Sequence, residues 1–142
     1  MAATALILFQ YALLADSPNS YITALADAEA SRRPLLVLVG AEWCPGCQTM
    51  KHSVLPSMAH RGALKSVSFI AVDADAESEL AHQLMRGPSI PQLIVFSRGL
   101  DGKWHREQIT GEASESEVQS LVARALQVQR EPAIAQATTI GD

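Results

Sequence analysis

At 142 residues and 48% hydrophobic content, the chain has the length of one domain able to bury its own core. Its formal net charge is −4, and its 11 Lys and Arg are scattered without a basic stripe, which excludes nucleic acid as a partner. The two cysteines, Cys44 and Cys47, are too few and too close for a disulfide scaffold. A staple over so small a loop adds little stability, so the pair is chemical rather than structural.

The first residues are uncharged from Ala2 to Ala15 and apolar apart from Thr4, Gln10 and Tyr11. This falls short of the ~20 apolar residues of a membrane span. Residues 1–18 read as a signal peptide, although no Lys or Arg precedes the apolar run, or as an N-terminal strand over residues 5–9. The composition leans to export.

Asn19 or Ser20 can cap a helix over residues 21–33, with Ala24, Leu25 and Ala28 on its apolar face and Pro34 as the stop. Residues 35–39 are a continuous aliphatic run, the pattern of a strand buried on both faces, and Gly40 ends it. The cysteine motif follows and opens a helical stretch to about Ser53. Pro56 then starts a second short helix, at a position where a missing N–H costs little. Residues 67–72 form another buried strand, closed by Asp73-Ala74-Asp75, which serve as strand-end and cap residues. A helix over residues 77–85 stops at Gly87-Pro88. Residues 93–96 and 104–110 are strands joined by a turn at residues 99–102, the pattern of an antiparallel hairpin. After Gly111, Ser114 caps a last helix to about Gln129, and Glu117 completes a capping box. Val118, Leu121, Val122, Ala125 and Leu126 are its buried face. Met50, Met58 and Met85 suit core filling. His52, His60, His82 and His105 are scattered surface residues.

Helix-separated strands imply a parallel βαβ unit, and the hairpin makes the sheet mixed. The expected fold is α/β: a central mixed sheet of four or five strands with helices on both faces. One domain covers residues 19–130, and residues 131–142 are a flexible tail without periodicity.

A CxxC pair serves a zinc half-site, a haem attachment or a redox dithiol. Haem attachment wants a His next, where Gln48 stands. Structural zinc wants four ligands, and recruiting His52 and His60 would distort the helix after the motif. Between a buried strand and a helix, the pair reads as redox-active. Cys44 falls at the helix cap, where unpaired N–H groups and the helix dipole favour a thiolate. Pro45 has no N–H, so the donors left for it are the Gly46 and Cys47 amides and the Cys47 thiol. Cys47, covered by the helix, is the poorer nucleophile. Cys44 therefore attacks and Cys47 resolves.

Trp43-Cys44-Pro45-Gly46-Cys47 resembles the active-site motif of the thioredoxin superfamily, and Ser89-Ile90-Pro91 resembles its cis-proline loop. Val72-Asp73-Ala74-Asp75 and Gly111 fall in matching order. The stretch over residues 34–50 is similar to bacterial thioredoxin-like proteins of the cell envelope, which would place the chain in the periplasm; the cytoplasm is the alternative. The resemblance implies a thioredoxin-like fold and a thiol–disulfide oxidoreductase acting on protein dithiols and disulfides, with a redox partner of unknown identity. It implies a monomer that needs no cofactor or metal. It also implies a cis Ile90-Pro91 bond beside Cys44, with the Ile90 backbone free to hold an extended substrate; an ordinary strand-start proline is the alternative. Trp43 would form a half-exposed rim.

Two positions depart from thioredoxins proper. Leu38 stands where they carry a buried Asp, and Phe69 where they carry a Lys. The wall beneath Cys47 is then expected to be apolar and dry, which disfavours its thiolate. Glu42 is either a solvated loop residue or a proton acceptor for Cys47. Two other functions stay open: a non-catalytic binding domain of the same fold, and a dithiol metal or haem chaperone.

Overall fold

A computed structural model describes residues 20–131. The readings made for residues 1–18, for Asn19 and for the tail beyond Glu131 lie outside the described residues. Helix α1 spans Ser20–Ser31 and ends two residues earlier than expected, because Arg32 turns to a positive φ of 55° and ends the helix before Pro34 does. Strand β1, Leu35–Gly40, is buried at all six positions, as its unbroken aliphatic run requires.

Helix α2, Pro45–Thr49, continues without a break through a π-helical stretch, Met50–Val54, into α3, Leu55–His60. The two helices expected on either side of Pro56 are thus one continuous rod. The wide turn has a local cause. A proline has no N–H to give, and its ring crowds the carbonyl four residues back. The Leu55 N–H reaches instead to the Met50 carbonyl, and Pro56 sits in the first turn of α3.

Strand β2 is Ser68–Asp73, α4 is Ser78–Leu84, β3 is Gln92–Arg98, β4 is Trp104–Thr110 and α5 is Glu115–Val128. The four strands form one mixed sheet in the order β2-β1-β3-β4. β1 runs parallel to β2 and antiparallel to β3, and β3–β4 is the antiparallel hairpin. The turn at its tip uses Gly102 at φ 78°.

Alternate residues of β1 feed two cores. Leu36 and Leu38 join Met50, Met58, Leu93 and Leu121 on the face covered by the motif helix and α5. Val37 and Val39 join Ala28, Ala81, Leu84 and Ile94 on the face covered by α1 and α4. Helices therefore lie on both faces, and both C-terminal ends of the parallel pair point at the cysteine motif. Among the described residues no helix is long and apolar enough to cross a membrane.

The Ser114 hydroxyl accepts the Glu117 N–H, and the Glu117 carboxylate accepts the Ser114 N–H at 2.8 Å. The Ser114 backbone and then its hydroxyl hold the Glu117 carboxyl below the usual carboxylate range. Ser114→Ala should lower stability by about 1 kcal/mol, read as a shifted urea midpoint with unchanged slope.

Candidate active site

β1 ends in Gly40, and the chain must pass directly under the motif there. A Cβ on Gly40 would stand 2.9 Å from Cys47 Cβ and 3.0 Å from its sulfur. Only a glycine lets the strand end meet the helix so closely. The Cys44 N–H donates to the Ala41 carbonyl at 3.2 Å and the Gln48 N–H to the Cys44 carbonyl at 3.1 Å, which closes the turn into the helix. Cys44 is the N-cap, with extended φ and ψ of −93° and 114°, and Pro45 occupies the first turn.

Cys44 and Cys47 are joined as a disulfide, with Cα atoms 5.2 Å apart. The Cys47 N–H points at the Cys44 sulfur from 3.2 Å. Of the two amides expected there, this is the one found. Cys44 is 7% exposed and Cys47 3%, so the covering helix shields the second cysteine more.

The Ile90-Pro91 bond is cis, and the Ile90 carbonyl oxygen lies 4.0 Å from the Cys44 sulfur. Gly46 abuts this loop: a Cβ on it would stand 3.5 Å from Pro91 Cδ. The Gly111 N–H anchors the Pro91 carbonyl at 2.8 Å. Among the described residues the Ile90 N–H and C=O pair with no other backbone group. Trp43 is 70% exposed, more than the half expected of a rim. Its indole N–H donates to Asp75 at 2.8 Å, which holds the ring over the groove beside Ile90 and Met85. Asp75 is therefore not a cap residue. Asp73 closes the turn after β2, its carboxylate accepting the Asp75 and Ala76 N–H groups, and the N-cap of α4 is Glu77, without a side-chain cap bond.

The sequence profile of thioredoxin-like proteins matches residues 17–97, more than half of the chain. The chain belongs to the thioredoxin-like family. A thioredoxin from Thermus thermophilus is 26% identical over 77% of this chain and 85% of its own, with a TM-score of 0.64. Trichomonas vaginalis thioredoxin is 27% identical over 72% of this chain and 87% of its own, with a TM-score of 0.58. A poplar thioredoxin h, 16% identical with a TM-score of 0.59 over 76% of this chain and 90% of its own, shares the fold. No curated protein matches the chain. A thioredoxin-like fold with a CxxC pair at disulfide distance supports thiol–disulfide redox chemistry in general.

In this thioredoxin-like chain the surroundings of Cys47 differ from the expected wall. A cavity of about 530 Å³ lies beneath it, with Leu38 and Ala71 on its floor and Glu42, Gln48 and Lys51 among the polar residues that line it. Phe69 is not part of it. The parallel register sets Ala71, not Phe69, beside Leu38, while Phe69 pairs with Leu36. Its ring is 42% exposed and lines a separate groove with Leu55 and Lys65. The expected dry, apolar wall is thus an apolar floor with a charged rim. Glu42 is exposed and shares the cavity with Cys47.

Sequence reasoning missed Lys51, one turn beyond Cys47 on the same cavity, and Gln92, which holds the cis-proline loop. Lys51 carried a signal in its i+4 spacing from Cys47. Gln92 carried one as a polar residue directly before the aliphatic run Leu93-Ile94-Val95. Among the described residues no group of three or more His, Cys, Asp or Glu side chains is placed to hold a metal ion.

Proposed function

We propose that the chain is a protein disulfide oxidoreductase in which Cys44 attacks and Cys47 resolves. The observation that carries this reading is the setting of the Cys44 sulfur, with the Cys47 N–H on one side and the Ile90 carbonyl on the other. The amide and the helix N-terminus favour a thiolate there. In the reducing direction, the Cys44 thiolate attacks one sulfur of a substrate disulfide. A mixed disulfide forms and one substrate sulfur leaves as a thiolate. Cys47 then loses its proton and attacks the Cys44 sulfur, closing the internal disulfide and releasing the second substrate sulfur. Two electrons pass to the substrate and leave the Cys44–Cys47 disulfide, which a dithiol reductant must reduce again before the next turnover. The reverse sequence oxidises a substrate dithiol.

The Ile90 N–H and C=O, which pair with no other backbone group among the described residues, are placed to bond an extended substrate segment. Main-chain recognition of this kind gives broad specificity for proteins with accessible cysteines. Trp43, Pro45 and Gly46 frame the sulfur, and residues 19–130 are the working unit, acting as a monomer.

Iodoacetamide labelling of the reduced chain across pH tests the assignment. Cys44 should label first, with a rate that inflects below the ~8.5 of a free thiol. Faster labelling of Cys47, or an inflection at the free-thiol value, would remove Cys44 from the attacking role.

A further inference from the structure

The loop that brings Ile90 to Cys44 has little side-chain core of its own. Residues 86–89 are exposed, and Gly87 takes a φ of 83°. One buried side chain makes most of its backbone ties, beside a longer bond from the Gln108 amide to the Arg86 carbonyl at 3.4 Å. Gln92 is 0% exposed, and its carboxamide accepts the Arg86 N–H at 3.1 Å while donating to the Arg86 carbonyl at 2.9 Å. A carboxamide carries the same donor and acceptor as a peptide group, so these two bonds pair it with Arg86 as a neighbouring strand would. The Gly87 and Ser89 carbonyls also lie within 3.2 and 3.0 Å of the same nitrogen, so its two N–H groups are shared among three acceptors. All the hydrogen bonds of this buried amide go to residues 86–89 of the loop.

We infer that Gln92 is a positioning residue for substrate: it fixes the shape of the 86–91 loop so that the Ile90 backbone faces an incoming chain beside Cys44. This rests on the reading, proposed above, that substrate pairs with Ile90. The requirement is specific. Ionised Glu has no donor and would set a carboxylate against three carbonyl oxygens. Met fills the space without bonding, and Asn is one methylene too short to reach all the partners. A loop ordered in advance does not have to be ordered by the substrate, so loss of the clamp raises KM rather than lowering kcat.

Gln92→Met and Gln92→Asn in the full chain test this with two readouts. In insulin reduction, KM should rise about tenfold in Gln92→Met and less in Gln92→Asn, with kcat changed by less than about threefold. Amide hydrogen exchange at Arg86 should speed up by about tenfold or more, while β1 and α5 keep their protection. A fall in kcat at constant KM, or faster exchange throughout the sheet, would show a general structural role and overturn the inference. Unchanged exchange at Arg86 would overturn the clamp itself. If the unaltered chain does not reduce insulin, the proposed substrate reading fails on its own. The exchange result then decides whether Gln92 holds the loop. Should Gln92→Met not fold, Gln92→Asn, which keeps a buried amide, carries both readouts.

Discussion

Cys47→Ser is expected to stop turnover at a mixed disulfide, with substrate covalently held on Cys44. Cys44→Ser is expected to leave nothing held. Both should lower multiple-turnover reduction of insulin by about three orders of magnitude or more, because nucleophile and resolving thiol act as one unit. The asymmetry follows from position. The Cys44 sulfur faces Ile90, where a partner can approach, and has the Cys47 N–H to stabilise its charge. The Cys47 sulfur sits beneath the helix against Gly40, where a hypothetical Cβ would already stand 3.0 Å away. A protein substrate cannot reach it there, but the Cys44 sulfur can. Non-reducing electrophoresis and mass spectrometry of each variant, after reaction with a protein disulfide, read the result directly. A covalent complex on Cys44→Ser and none on Cys47→Ser would exchange the two roles.

Much of this site was legible before any coordinates. The run of residues 35–39 could only be a two-sided strand, and the break at Gly40 put Cys44 at a helix cap. Ser114 and Glu117 marked the last helix start because a capping box is a local device that needs only four residues. What escaped was set by partners distant in sequence. Asp75 finds the Trp43 indole 32 residues away, and nothing in Asp73-Ala74-Asp75 says which carboxylate will do so. Phe69 was misplaced because its match gives a position along β2 but not its register on β1 or the turn of its ring. The π-helical stretch escaped because its apolar spacing hardly differs from that of an α-helix. Gln92 lies just before the strand expected over residues 93–96, and its meaning lies in the Arg86, Gly87 and Ser89 carbonyls, which it reaches through its side chain.

Leu38→Asp is expected to have opposite effects on stability and on turnover, and the two together test how Cys47 loses its proton. Leu38 is buried on the floor of the cavity beneath Cys47. An Asp carboxyl there loses hydration, which lifts its pKa by about 2–3 units over the ~3.9 of the unfolded chain. The folded chain then keeps a proton that the unfolded chain releases. Stability is lost as pH rises from ~4 through the raised pKa and stays lost above it, by about 3–4 kcal/mol at neutral pH. Urea titrations at pH 5 and pH 8 should show the smaller penalty at pH 5. The same carboxylate would accept the Cys47 proton, so insulin reduction near neutral pH should rise about tenfold. In the unaltered chain Leu38 and Ala71 offer Cys47 no proton acceptor, and Lys51 shares the cavity with the carboxylates of Glu42, Asp73 and Glu77. Its turnover should therefore climb with pH, and that climb should flatten in Leu38→Asp. Glu42→Gln tests the rival route, since Glu42 lines the same cavity. A tenfold loss in Glu42→Gln with no gain in Leu38→Asp would make Glu42 the proton acceptor. If neither substitution changes the rate, proton loss at Cys47 does not limit turnover, and the role given to the apolar floor falls with it.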